Sequence, residues 1–338
     1  MNAYERMSHR LRGEPVDRSP NFNIMMAFAA HFIGQPLSAY YQDYRVLCEA
    51  NFAMLDAFGM DIVQAISDPY RETADWGAAI EFPEDDLPLS SVPLIRDYAD
   101  LKNLRAPDPT TGRRMSDRLE ALRRFREQVG GTVPIMGWVE GALAEAADLR
   151  GISTLLVDLV DEADRVDELL ERCVAVEIAF ARAQVEAGAD IIGLGDAIAS
   201  QVSPKMYQRF ALPYEQRLFA SVHAMGALAR LHICGNTTRL LNLMPQSGAD
   251  IIDVDWMVDL KAARDAFAEK AVCGNVDPVA IMLQGTPQQV YQSVTACLEA
   301  GGSRAIHAAG CEIPAATPPE NLHAQRRALN DFHAVCAM

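Results

Sequence analysis

Short apolar runs alternate along this chain with longer stretches in which apolar residues recur every three or four positions. The short runs cover residues 23–28, 61–66, 133–138, 190–194, 227–232, 250–254, 271–273 and 304–308. Most are too short for helices, and turn residues flank many of them, so they read as strands. The longer stretches read as helices. Residues 153–184 carry Leu155, Leu159, Val166, Leu169, Leu170, Val174 and Ile178 near helical spacing, which predicts two helices. Residues 287–299 place Val290, Val294 and Leu298 at four-residue steps, and residues 238–244 and 260–267 are shorter examples.

The phrases EAGAD before Ile191, SGAD before Ile251 and EAGGS before Arg304 recur in one role. Each ends a helix with glycine, which suits a left-handed cap, and then opens a strand. Repeated helix–Gly–strand units argue for parallel strands with right-handed crossovers. Eight such strands predict an α/β fold of the (β/α)8 TIM-barrel type, with an open doubly wound sheet as the alternative. No linker rich in Gly or Ser divides the chain. The reading is therefore an N-terminal extension over residues 1–20 and one barrel over residues 21–338. The Pro- and acid-rich segment 68–111 breaks the rhythm and is expected to form a lid-like insertion or a surface excursion.

The formal net charge of −16 disfavours nucleic acid and anionic membranes as partners. No apolar run reaches the ~18–20 residues of a membrane span, and residues 1–18 have no signal-peptide character. Seven scattered cysteines do not form a disulfide framework. A reducing cytoplasm is expected, with the cysteines as free thiols or metal ligands.

Which cysteines could be ligands follows from strand periodicity. His232 and Cys234 end an apolar run one residue apart. In a strand, residues i and i+2 face one side, so both can point at one atom at a barrel's C-terminal mouth. Imidazole and thiolate together suit zinc, but the pair alone also fits a buried Cys beside a satisfied His. Catalytic zinc needs a third protein ligand and an open position. Cys311, just past the last expected strand, can supply it, and His307 within that strand is the competitor. Cys48, Cys173 and Cys297 lie on helical stretches as core thiols, whereas Cys273 ends a strand and could line the cavity.

Other polar and aromatic residues fall near strand ends. Glu140 and Asp196 could position substrate or support a ligand, or could make cap and loop hydrogen bonds. Asn236 could contact a cofactor or cap a helix starting near Thr237. Asn275 ends another strand, and Trp138 and Trp256 could form an apolar wall. His31 and His223 read as ordinary. There is no Walker motif or dinucleotide-binding fingerprint.

HICGNTTRLLNLM, followed by GADIIDVD and later GCEIPAATPPENL, resembles the uroporphyrinogen decarboxylase superfamily. The match is to its cobalamin-dependent methyltransferase branch, such as methylcobalamin:coenzyme M methyltransferases. GDAIASQVSPKMYQRFALPYEQRL fits the same branch, GWVEGALAEAADLRG more loosely, and the resemblance runs from about Asn21 to Leu329. It implies a (β/α)8 barrel and zinc bound by His232, Cys234 and Cys311. It also implies an exchangeable acidic fourth ligand at Asp255, where coenzyme M enzymes tend to have Glu. The structural alternative for Asp255 is a carboxylate capping a backbone amide.

The activity so implied is methyl transfer between a corrinoid and a zinc-activated acceptor such as a thiol, or a folate. Demethylation of a small molecule onto a cobalt(I) corrinoid protein is the first alternative. Uroporphyrinogen decarboxylation is the second. True decarboxylases begin with an arginine-rich segment, whereas NFNIMMAFAAHFIG has no arginine. Corrinoid domains carry an Asp-x-His-x-x-Gly motif, which is absent here. The corrinoid would thus arrive free or on a separate protein, docking at the open face and on segment 68–111. A small-molecule methyl donor or acceptor and a second copy of the chain, as a homodimer, complete the expected partners.

Overall fold

Gly188 closes the helix Ala163–Ala187 with φ of 118°, and Gly248 turns the chain at φ of 95° before the next strand. Both values lie in the left-handed region that a side chain disfavours, so these turns require glycine. In the computed structural model, which describes residues 1–336 with side chains through Phe332, such turns launch seven parallel strands. They are β1 (Val63–Gln64), β2 (Ile135–Glu140), β3 (Ile191–Gly195), β4 (Leu228–His232), β5 (Ile251–Asp253), β6 (Ala271–Cys273) and β7 (Ala305–Ile306). Their order in the sheet is their order in the chain.

Residues 20–22 take the eighth place and close the ring. His307 N–H donates to Pro20 O at 2.9 Å, Phe22 N–H to His307 O at 2.8 Å, and Asp61 N–H to Asn21 O at 3.0 Å. Closure together with sequential order gives a (β/α) barrel and rules out the open doubly wound sheet. The expected first strand at 23–28 is corrected. The extended stretch lies just before it, and Ala27–Phe32 is a helix. That apolar run is buried, so its periodicity could not separate strand from helix.

The expected helices at 153–184, 260–267 and 287–299 are Ile152–Asp161 with Ala163–Ala187, Leu260–Phe267 and Pro287–Gly301. The last starts well. Thr286 and Gln289 form a capping box, Pro287 sits at the first helical position, and Val290, Val294 and Leu298 are buried. The helix expected at 238–244 is instead two 3-10 turns, Thr238–Leu240 and Met244–Ser247. Pro245 disfavours a helical residue before it.

The N-terminal helix Ala3–Leu11 packs under the barrel. Arg6 and Arg18 both bind the buried Asp61, at 2.6 and 2.5 Å. The insertion begins inside the protein rather than above it. Arg71 and Glu72 of the short helix Arg71–Asp75 are fully buried, and Asp68 takes a 2.5 Å bond from Arg114. Further on it is a surface, with Leu87 and Leu89 exposed. No helix among the described residues is long and apolar enough to cross a membrane.

Candidate metal centre

Strand β4 carries Arg230 and His232 on one face, and the chain continues two residues on to Cys234. This period of two aims all three side chains inward. Neighbouring β5 contributes Asp253, and the loop after β7 brings in Cys311. His232 Nε2 lies 2.9 Å from Cys234 Sγ, Cys234 Sγ lies 3.4 Å from Cys311 Sγ, and Cys311 Sγ lies 4.0 Å from His232 Nε2. These are the only His, Cys, Asp or Glu side chains among the described residues that converge closely enough to share a metal ion. Two sulfurs and an imidazole nitrogen form a set that suits zinc and leaves room for a further ligand.

The ring of His232 is held from behind. Its Nδ1 lies 2.7 Å from Asp253 Oδ2, and Arg230 binds the same carboxylate at 2.8 and 2.9 Å. Burial favours a neutral Asp253, but Arg230 and His232 hold its carboxyl down, to about 2. The ionised carboxylate fixes the proton on Nδ1 and turns Nε2 toward the sulfurs. Burial likewise opposes a charged His232, yet its bonds to Asp253 and Cys311 raise it to about 10. The Cys311 thiol is lowered to about 4, first by its bond with Cys234 and against burial.

A cavity of about 150 Å³ opens on this trio. Its wall includes Ile24, Met26, Trp138, Glu140, Gly195 and Glu312, with no Lys or Arg. Trp138 stands beside His232, with ring centroids 5.9 Å apart. Glu140 Oε1 accepts from Arg71 Nη2 at 2.7 Å and from Trp138 Nε1 at 3.1 Å. Burial pushes Glu140 up to about 7, with Arg71 opposing. Glu312 Oε1 accepts from the Ala27 amide at 2.8 Å.

The remaining candidates are not among the converging ligand atoms. Asp255 accepts from the amides of Gly235 and Trp256, both at 2.7 Å, so each oxygen already has a backbone donor. Asp196 is buried but does not line the cavity, and burial beside Glu215 pushes its carboxyl well up. Asn236 is exposed and accepts from Thr238 N–H at 3.1 Å, capping a 3-10 turn. Asn275 donates to the carbonyls of Asp255 and Val258, pinning the loop after β5. His307 is bonded to Gln325 at 2.7 Å, away from the sulfurs. Cys273 is buried beside Arg230 at 3.8 Å, and Cys48 and Cys173 are core thiols.

The family model described as uroporphyrinogen decarboxylase (URO-D) matches residues 2–332. The chain belongs to the uroporphyrinogen decarboxylase family. Within it, the chain is 30% identical over 325 residues to a methylcobamide:CoM methyltransferase, MtbA, of Methanosarcina acetivorans, covering 94% of each chain. It is 26% identical over 327 residues to a uroporphyrinogen decarboxylase of Trichlorobacter lovleyi, covering 91% of this chain and 93% of that one. A solved methyltransferase from Methanosarcina mazei superposes with a TM-score of 0.90 at 25% identity, covering 98% of this chain and 99% of that one.

Within this uroporphyrinogen decarboxylase fold, sequence reasoning missed Asp253, Arg230, Arg71 and Glu312. Asp253 and Arg230 were findable. Each lies two residues before a residue already singled out, Asp255 and His232, and so shares its face. Arg71 left no local signal, because its partner Glu140 comes from a distant strand.

Proposed function

We propose that this protein is a zinc-dependent methyltransferase moving a methyl group from a corrinoid to a thiol. The observation that carries the reading is the convergence of His232, Cys234 and Cys311 at the mouth of the barrel, on a largely apolar cavity. The names of the methylcobamide:CoM methyltransferase relatives support it. A decarboxylase must hold a polycarboxylate. The wall around Ile24 and Met26 has no Lys or Arg and carries Glu140 and Glu312, which disfavours that reading.

His232, Cys234 and Cys311 would hold the zinc, with Asp253 as the positioning residue for His232. Bound zinc supplies Lewis acidity that lowers a thiol's pKa and orients it. The apolar wall of Ile24, Met26, Ile66 and Trp138 excludes water from the sulfur. In the transfer the thiol proton leaves to solvent, the sulfur pair forms the S–C bond, and the Co–C bond breaks with its pair kept by cobalt. The corrinoid arrives free or on a separate cytoplasmic protein docked at the open face. Glu140 and Trp138 would meet the substrate in the cavity, Asp255 and Asn236 would brace the loops around it, and Asp196 would lend support from outside the cavity wall.

The test is direct. Purified protein should carry about one zinc per chain, and with methylcobalamin and a thiol it should consume the methyl–cobalt absorbance. The reverse assay, with cobalt(I) corrinoid and methylated donors, should be slower. Zinc-loaded protein that transfers methyl in neither direction, with free or protein-bound corrinoid, sinks the proposal.

A further inference from the structure

The cavity reads its substrate from the end opposite the sulfur, and this rests on the methyl-transfer proposal. Glu140, Gly195 and His232 are register partners on the adjacent strands β2, β3 and β4. Strands lie about 4.8 Å apart, so the Glu140 and His232 backbones stand about 10 Å apart across one row. The residue between them has no side chain. A Cβ at Gly195 would come within 2.9 Å of the Trp138 ring and 3.2 Å of Glu140 Oε2. The row is thus a carboxyl group, a glycine covered by the Trp138 ring, and the ligand trio, all lining one small cavity. A short thiol with its sulfur at the trio would run along the Trp138 ring toward Glu140.

The chemistry at that end is one-sided. Glu140 Oε1 holds Arg71 and Trp138, while Oε2 has no hydrogen-bond partner among the described residues. Glu140 is 9% exposed and lines the cavity, so Oε2 is an acceptor open to whatever enters it. A donor on a bound molecule can therefore reach it without displacing Arg71 or Trp138 from Oε1. Arg71 cannot serve an anion from where it is. It is fully buried, is not part of the wall, and is engaged by Glu140, the Asp68 carbonyl and Glu72. Glu312, the other acidic side chain of the wall outside the ligand trio, is also a carboxyl group.

We infer that the small-molecule substrate is a short thiol whose far end is an ammonium or another hydrogen-bond donor, bound by Glu140, and not a sulfonate or carboxylate. In this the chain would depart from relatives named for CoM, a thiol that ends in a sulfonate.

The experiment compares three thiols of similar length: cysteamine, 2-mercaptoethanol and 2-mercaptoethanesulfonate. Methyl transfer from methylcobalamin and calorimetric binding to the zinc-loaded protein are both measured. Cysteamine should exceed the sulfonate in kcat/KM and in affinity by about tenfold or more, with mercaptoethanol between them. Glu140→Gln should shrink that ratio severalfold, and comparing ratios cancels the thiols' intrinsic differences. A sulfonate that binds and reacts best, or a ratio unchanged in Glu140→Gln, overturns the inference and leaves the methyl-transfer reading standing. Transfer to none of the three, from free or protein-bound corrinoid, overturns both. Should Glu140→Gln fail to fold, the wild-type binding order decides alone.

Discussion

Asp253 Oδ2 lies 2.7 Å from His232 Nδ1 while Arg230 grips the same carboxylate. A histidine that binds metal through one nitrogen needs its other nitrogen held, and here the holder is itself held. Asp253→Asn keeps the shape but loses the charge. Zinc affinity should fall about 10- to 100-fold, read by competition with a chromophoric chelator. Unchanged affinity would remove Asp253 from the site.

Cys311 and Cys273 should behave oppositely. Cys311 Sγ is 3.4 Å from Cys234 Sγ, whereas Cys273 lies below, against Arg230. Cys311→Ala should lose most of the bound zinc by elemental analysis, and Cys273→Ala should retain it. Full zinc in Cys311→Ala would break the ligand assignment.

Gly193 on β3 faces the ring of Trp138, and a Cβ there would come within 2.4 Å of it. That ring backs His232 and walls the cavity. Gly193→Ala should therefore cost about 1–3 kcal/mol, as overpacking does. It should also raise KM for the thiol. Thermal melting together with kinetics checks both, and a variant as stable and active as wild type contradicts this packing account.

Stability should fall as pH rises through the neutral range. Burial raises Glu215 to about 8, with the Tyr207 hydroxyl bond at 2.6 Å opposing. Glu177 and Asp196 are raised in the same direction. An unfolded Glu titrates near 4.3. Between these values the folded state binds more protons, so stability is full below the unfolded pKa and is lost as pH climbs toward about 8. Asp253 works the other way, its contribution disappearing as pH falls toward about 2. Denaturant titrations of wild type and Glu215→Gln at pH 5, 7 and 9 test this. The variant should show the shallower alkaline loss, and parallel curves would refute it.

Trp256 is 48% exposed at the mouth, one residue beyond Asp255, with Met257 exposed beside it. Adjacent exposed apolar side chains at the open face form the kind of patch that suits a protein partner. Trp256→Ala should slow transfer from a protein-bound corrinoid by about tenfold and leave free methylcobalamin almost untouched. An equal effect on both would place Trp256 in the chemistry instead of the docking.

Much of this was legible in the chain, for physical reasons that differ by region. Strand β4 announced itself because Ala229, Leu231 and Ile233 alternate with inward-facing residues, and the same alternation put His232 and Cys234 together. Cys311 was reachable because barrel topology brings strand ends to one mouth. The start of the barrel was misread because Ile24, Met25, Met26 and Phe28 are buried whether strand or helix. Arg71 and Glu140 were illegible as a pair, since burial joins them across a long sequence interval that no local pattern encodes.

The closure through residues 20–22 has a consequence for how the chain is made. The first strand position finds one of its neighbours, His307, only near the chain's end. A nascent chain therefore carries an open sheet edge at least until His307 has emerged. Cys311 follows His307 by a few residues, so ring closure and completion of the ligand trio arrive together. On the proposed zinc assignment, metal capture would act as a late latch on synthesis. Chains made without zinc would then close late or not at all, and would be the first taken by proteases.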